Sequence, residues 1–297
     1  MPELPDIVVY IEALSRRVLG EELTGLRVMS PAVMRTYDPP YDAPVGRVVS
    51  SVQRVGKRIV LGFGEASDLF LVIHLMVAGR LRWEAPGKAI PKRVGLAALD
   101  FKGGSLILTE QGTHKRAGIW VFSDWEGVAG LDRGGVEPLE VTTEEFATAL
   151  RSENRTLKRA LTDPSMFSGI GNAYSDEILW EARLSPVKRT SQLTDDEVAG
   201  LHHSVVSSLH EWTRRLRDDA GEGWPDKVTA FREDMAVHGK FGEPCPRCGS
   251  KVQRIVYSSN ETNYCATCQT GGKLLADRSL SRLLKEDWPK TLEELEG

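Results

Sequence analysis

The sequence predicts an α+β chain of more than one domain, on three observations. A helical apolar stripe stands at the amino terminus, a long region of short strand-like runs follows it, and capped helices then lead into two C-x-x-C pairs. At 297 residues, 41% hydrophobic and 27% charged, the chain has the make-up of a globular protein with two domains.

Ile7, Val8, Ile11, Leu14 and Val18 share one helical face, so residues 6 to 19 form a helix that anchors the terminus. From about 22 to 124 the pattern becomes strand-like, with runs at Val48–Val52, Arg58–Phe63, Leu69–Leu75, Leu96–Phe101, Ser105–Thr109 and Gly118–Phe122. Glycines and prolines break these runs, which predicts a β-sandwich or barrel-like domain. The glycine-rich stretch 125–141, with Pro138, reads as a linker. Thr142-x-x-Glu145 has capping-box spacing before Phe146, Ala149 and Leu150, and Thr194-x-x-Glu197 repeats it before Val198, Leu201, Val205 and Leu209. The second domain is therefore largely helical. Asp218 to Asp226, rich in glycine and aspartate, reads as a mobile surface loop.

All four cysteines fall in Cys245-Pro-Arg-Cys248 and Cys265-Ala-Thr-Cys268, with 16 residues between the pairs. That spacing suits a tetrahedral zinc site of four cysteines, closed and structural because four thiolates leave no open position. Disulfides are the rival reading, and the lack of a signal-peptide pattern argues against them. No stretch approaches 18 apolar residues, so no membrane partner is expected and the location is cytoplasmic, of bacterial type. The net charge of −4 argues mildly against a nucleic-acid partner. Basic clusters at Arg54-Lys57-Arg58, Lys115-Arg116, Arg155-Lys158-Arg159 and Lys251-Arg254 soften that objection, since cations on one face suffice.

The terminus itself carries chemistry. Loss of Met1 would leave Pro2 as a secondary amine at the head of Pro2-Glu3-Leu4-Pro5-Asp6. A terminal amine has a pKa of about 8, so a useful fraction is unprotonated at neutral pH, as Schiff-base chemistry on a sugar aldehyde requires. The alternative is a frayed end of no consequence.

Pro2-Glu3-Leu4-Pro5, Gly169-Ile170-Gly171-Asn172 before a helix, and the four-cysteine finger together resemble the formamidopyrimidine-DNA glycosylase and endonuclease VIII family, from residue 2 to about 270. The resemblance implies an amino-terminal helix on a catalytic β-sandwich domain (2–135), a helix-two-turn-helix DNA-binding domain (136–235), a zinc finger (236–270) and a carboxy-terminal tail (271–297), with DNA in the cleft. It implies a monomeric, bifunctional DNA glycosylase and AP lyase of base excision repair, acting at the nucleoid on damaged double-stranded DNA, with one structural zinc. In that reading Pro2 attacks C1′, the base leaves, a Schiff base forms, and β,δ-elimination nicks the strand. Glu3 is the general acid/base and Lys57 the strand lysine at the lesion phosphate. Asp6, where the family has glutamate, and Glu177 would support catalysis. His74, Lys115, Arg116, Lys158, Gly171, Asn172, His238 and Asn260 fall at DNA-contacting positions. Leu4 resembles the branch that repairs oxidised purines.

The departures concern base recognition and grip. Val77 fills the place of the family's void-filling methionine, with Met76 one residue away. Lys115 replaces an arginine, Ala117 an aromatic wedge, Asn260 the zinc-finger arginine, and His238 a tyrosine. Alanine cannot stack, and asparagine brings neither charge nor a bidentate fork. Two other readings remain open at this point: a catalytically weak paralogue that binds damaged DNA, and a zinc-ribbon scaffold that binds protein.

Overall fold

The computed structural model describes residues 1–65, 67–226, 228–229, 231–257, 260–276 and 289–296. The chain divides into two compact units, residues 1–133 with 212–229, and residues 134–211 with 230–297.

The first unit begins with helix α1 (Leu4–Val18), which starts with Pro5 in its first turn, where proline's missing N–H costs nothing. Two four-stranded antiparallel sheets follow. One has the order β1-β6-β7-β5 (Leu23–Val28, Gly95–Phe101, Gly104–Glu110, Gly79–Glu84), the other β2-β3-β4-β8 (Val49–Val55, Arg58–Phe63, Leu69–His74, Gly118–Phe122). The core unites Ile7, Tyr10, Leu14 and Val18 of α1 with Leu61, Leu71 and Ile73 of one sheet and Leu81, Leu99 and Leu108 of the other. The expected sandwich is therefore present, and α1 belongs to its core. Strands β1 and β5 escape the sequence reading. Gly79–Glu84 places only Leu81 in the core and sets arginines at 80 and 82, so it lacks a hydrophobic run.

The second unit carries α3 (Thr143–Arg151), α4 (Leu157–Thr162) and α5 (Asn172–Glu181), the start of α6 (Asp195–Ala220), and a hairpin of β9 (Gln253–Val256) with β10 (Glu261–Tyr264). Both capping boxes form: Glu145 N–H donates to Thr142 Oγ1 and Thr142 N–H to Glu145 Oε2, and Glu197 pairs with Thr194 in the same way. Phe146, brought inward by the first box, packs at a tilt on Phe167 and stacks on the His202 ring. A short helix α7 (Ala266–Thr270) follows the hairpin.

Three expectations change. Residues 125–141 are not all linker, because α2 (Trp125–Ala129) packs Val128 against Val60, Phe70 and Val72 on the outer face of the second sheet. The stretch 218–226 is not a free loop, and residues 212–229, assigned from sequence to the helical domain, pack with the sandwich. Arg217 grips Glu12 with two nitrogens at 2.6–3.0 Å, and Trp224 packs at a tilt on Tyr10 at 5.5 Å and stacks on Trp83 at 6.2 Å.

Leu61 is fully buried between α1 and the sheets. Leu61→Ala should lower the stability of the first unit by about 2–5 kcal/mol, read from the urea transition.

Candidate functional site

The first group of candidates gathers at the amino terminus. Pro2, Glu3 and Asp6 are buried at the head of α1, and the Asp6 carboxylate accepts the Glu3 N–H at 2.9 Å. Asp6 thus fixes the turn that presents residues 2 and 3. Burial pushes the terminal amine of Met1 below its ordinary pKa. Glu3 opposes that shift, Arg80 adds to it, Asp6 opposes it and Lys57 adds to it. Among the described residues, charges from the head of α1, the turn between β2 and β3, and β5 therefore act on the Met1 amine. Lys57 lies in the turn between β2 and β3, where desolvation lowers its pKa and Glu3 resists the change. A lysine so placed sheds its proton more readily than one in water.

His74 closes β4 opposite Arg58 of β3 and Gly118 of β8. Burial, then the charges of Arg58 and Lys57, lower its pKa to about 4, so the ring is neutral at physiological pH. The turn after it is tight. Gly79 N–H donates to the Leu75 carbonyl at 2.9 Å, and a Cβ on Gly79 would meet that oxygen at 2.2 Å. Within this turn Met76 adopts a left-handed φ of 51°, and Val77 stands 58% exposed at its tip.

The loop before β8 is fastened from below. The buried Glu110 carboxylate accepts the N–H groups of Arg116 and Ala117 at 2.7 and 3.0 Å, and Lys115 Nζ donates to the Glu110 carbonyl. Arg35 holds the Arg116 carbonyl at 3.0 Å. Ala117 is 1% exposed and part of the sandwich core, so its side chain is no wedge; Arg116 is exposed.

The second group surrounds α5. Gly169 has φ +81°, Gly171 caps the helix and Asn172 opens it. Asn172 Nδ2 donates to the Glu261 carbonyl at 3.0 Å. Lys158 Nζ donates to the Asn172 carbonyl at 2.6 Å and to Asp176 at 2.5 Å, and is nearly buried. The other Asp176 oxygen meets His238 Nδ1 at 2.7 Å and accepts Asn263 N–H at 3.2 Å. His238 therefore points inward, and Phe231 stacks on its ring at 5.7 Å. Glu177 is also internal. Its carboxylate takes the N–H groups of Ala236, Val237 and His238 at 2.8–2.9 Å, and burial pushes its pKa up against those bonds. Through these contacts Glu177 holds residues 236–238 on α5. Asn260 is exposed, and its carbonyl accepts Tyr257 N–H at 2.7 Å. Asp176, Asn263, Arg80 and Trp224 escape the sequence reading. Only Asp176, one helical turn after Asn172, carried a signal that spacing could have found.

The four cysteines converge without forming disulfides, their sulfurs within 4.8 Å of one another. Cys245 and Cys268 sulfurs lie 4.0 Å apart and those of Cys248 and Cys265 3.4 Å apart, against an edge of about 3.8 Å for four thiolates around zinc. The set fits one structural zinc. Trp180 Nε1 donates to Cys245 Sγ at 3.3 Å, and Cys268 N–H to Cys265 Sγ at 3.5 Å, so two donors already face sulfurs that the metal would hold as anions.

A sandwich presenting its own amino terminus, a capped helical unit and a thiolate hairpin define a class of zinc-finger protein that handles DNA. Models of the formamidopyrimidine-DNA glycosylase N-terminal domain, the formamidopyrimidine-DNA glycosylase H2TH domain, and the zinc finger found in FPG and IleRS match residues 1–114, 135–216 and 242–271. The formamidopyrimidine-DNA glycosylase of Chloroflexus aurantiacus is 32% identical over 91% of this chain and 98% of its own length. An uncharacterized formamidopyrimidine-DNA glycosylase-like protein of Mycobacterium tuberculosis is 40% identical over 51% of this chain and 94% of its own. Among solved structures, the Lactococcus lactis Fpg in complex with abasic-site DNA matches with a TM-score of 0.79 at 25% identity, over 90% of this chain and 99% of that one. The chain belongs to the formamidopyrimidine-DNA glycosylase family. No helix among the described residues is long and apolar enough to cross a membrane.

Two outcomes are expected. Chelation should release one zinc per chain and unfold the segment 245–270, seen as rapid amide exchange there, because thiolate–zinc binding of order 10 kcal/mol stabilises so small a hairpin. His74, ordinarily near pH 6.5, has a depressed pKa in the folded chain, so its contribution to stability is complete above about 6.5 and is lost as the pH falls towards 4. His74→Gln should flatten that part of the urea-midpoint profile relative to wild type.

Proposed function

We propose that the chain is a bifunctional DNA glycosylase and AP lyase of base excision repair, acting on damaged DNA at the bacterial nucleoid. The observation that carries this reading is the head of α1, where Pro2, Glu3 and Asp6 are buried and where the charges of Glu3, Arg80, Asp6 and Lys57 act on the Met1 amine. With Met1 removed, the Pro2 nitrogen would use its lone pair to bond C1′ as the glycosidic bond breaks and the base leaves with a proton. Opening of the sugar ring then leaves an iminium between Pro2 and C1′. Glu3 supplies and takes the protons of ring opening and of removal from C2′, and the 3′ and then the 5′ phosphate depart. Lys57, with its lowered pKa, lies beside Glu3 and supports that carboxylate's charge. In the second unit Asn172, the amides opening α5, and Lys158 grip phosphate. The thiolates of Cys245, Cys248, Cys265 and Cys268 hold the zinc, which keeps the hairpin folded.

A refinement concerns the substrate. Extruding a base from a duplex leaves a hole that costs a few kcal/mol unless protein fills it. Of the three residues at the family's void-filling positions, Val77 is short, Ala117 lies in the core, and Lys115 is tied to Glu110. The chain should therefore favour strands in which the damaged base is already unstacked.

Borohydride trapping on abasic DNA tests the activity: wild type should give a covalent adduct, and Pro2→Gly should reduce it at least a hundredfold. Tight binding without an adduct would favour the damage-binding paralogue. No DNA affinity at low salt would leave the protein scaffold. Excision from a single strand or bubble should exceed excision from the matched duplex, and efficient 8-oxoguanine excision opposite cytosine in duplex would overturn the refinement.

A further inference from the structure

Of the basic cluster Arg54-Lys57-Arg58, the proposed chemistry uses only Lys57, and the fold gives Arg58 a place of its own. Arg58 opens β3 directly opposite His74 of β4, and His74 in turn stands opposite Gly118 of β8. Ile59, Leu61, Leu71 and Ile73 face the sandwich core, so strand alternation puts Arg58 and His74 on the outer face with Val60 and Val72. Directly opposed side chains on one face of such a pair start about 5 Å apart. Guanidinium and imidazole therefore share one small region.

The third position of this row carries a second arginine, from a different segment. A Cβ on Gly118 would come within 2.9 Å of Arg35 Nε and 2.8 Å of the Trp120 ring, so the bare backbone at 118 is what admits the Arg35 guanidinium. Arg35 Nη2 donates to the carbonyls of Arg116 and Ala117 at 3.0 and 3.3 Å, which orient it without cancelling its charge. Arg58 is less satisfied. Its Nε is buried and has no hydrogen-bond partner among the described residues. Buried donors are rarely left so, because the lost hydration is not replaced. The charges that reach Arg58 are Asp132, which favours it, and Arg133, which opposes it. His74 beside it is neutral, so it offers a ring N–H and adds no charge. The row thus holds two cations, a neutral donor and a buried N–H with no acceptor. An anionic oxygen would complete it.

We propose that Arg58 is a further DNA-binding residue, which together with His74 takes one phosphodiester of the substrate strand, with Arg35 adding positive potential beside it. The inference rests on the reaction proposed at the amino terminus, since a nucleic-acid substrate is what brings a phosphodiester to this sheet. The planar guanidinium matches the two free oxygens of that group and supplies the charge that the neutral His74 ring does not.

The test is the salt dependence of DNA affinity, read by fluorescence anisotropy on the full, zinc-loaded chain with an oligonucleotide carrying an uncleavable abasic analogue, both as a single strand and as a duplex. In Arg58→Gln the slope of log Kd against log salt should fall by about 0.7 on the single strand and about 0.9 on the duplex, the value of one lost phosphate contact. Affinity at low salt should fall about tenfold, as expected of one charged hydrogen-bond pair. Arg58→Lys should keep the slope, because it keeps the charge, and lose about threefold in affinity with the fork. Lys102→Gln removes an equal charge beside Phe101, which pairs with Leu23 beyond the far end of α1, and should leave the slope unchanged. Borohydride trapping at saturating abasic DNA should stay within about twofold of wild type in Arg58→Gln, since the lost contact weakens binding and not the chemical step. Circular dichroism establishes folding, and Arg58→Met, which keeps the aliphatic stem, carries the test if the glutamine variant unfolds. An unchanged slope in Arg58→Gln overturns the site, as does an equal fall in Lys102→Gln. Slower trapping at saturation with unchanged Kd overturns it too. Wild type that binds neither form at low salt overturns the DNA reading and the site together, whereas wild type that binds without trapping overturns the lyase reading and leaves the slope to decide Arg58.

Discussion

Everything proposed for the first unit depends on burying a chain terminus without neutralising it. An end of chain is ordinarily the least ordered part of a domain, and a nucleophile there loses most encounters to its own motion. Here α1 removes the motion: Ile7, Tyr10, Leu14 and Val18 lie in the sandwich core, so the residues one turn upstream inherit its position. Asp6 accepting the Glu3 N–H completes the constraint at the last point where the backbone could pivot. Burial makes the Met1 amine easier to deprotonate, while Glu3 and Asp6 pull the other way and Arg80 and Lys57 add to the shift. The terminus is thus set electrostatically by residues that the sandwich brings to it from far along the sequence.

The second unit solves a different problem with the same means. Asp176 is buried and holds three partners, the ammonium of Lys158, the ring of His238 and the N–H of Asn263. A buried carboxylate with fewer partners would be costly, and removal of one of them would leave a charge that nothing nearby satisfies. Its neighbour Glu177 holds three successive backbone amides. Two adjacent acids of one helix thereby fix both the segment that leads into the zinc hairpin and a residue within it. Gln269 adds a further tie, bridging Cys265 N–H and the Leu184 carbonyl beside the four thiolates that would hold the metal.

Legibility in the sequence follows from how each feature is encoded. Periodicity exposed α1 and six of the strands, and hydroxyl–carboxylate spacing exposed two helix starts, because these signals are local. The cysteine pairs were legible for the same reason. Strand β5 was not, since its role is to carry arginines and a tryptophan at an edge, and Trp224 was not, since its partners Tyr10, Trp83 and Leu81 are distant in sequence. The inward direction of His238 and Glu177 was equally hidden. A carboxylate on a helix reads as exposed until the fold shows three amides pointing at it. Resemblance supplied the positions of the candidates, and only the packing showed which of them are buried and what each one holds.

The turn at 75–79 shows how such a frame can persist while its contacts change. Leu75 and Gly79 close it through one hydrogen bond, and the absence of any Cβ at 79 is required by the 2.2 Å approach of the Leu75 oxygen. Met76 accepts a left-handed backbone that L-residues other than asparagine and aspartate seldom adopt, a cost of about 1 kcal/mol. Such strain persists only where the surroundings over-determine the conformation, and Arg80 gripping the carbonyls of Val77 and Gly79 is one such determinant. The turn therefore keeps its shape independently of the side chain it offers at the tip. Likewise Glu110 secures the loop before β8 through backbone amides, so nothing in that loop's geometry depends on the residue at 117 being large. Backbone-directed fastening thus holds both loops in place without drawing on the exposed side chains of Val77 and Arg116.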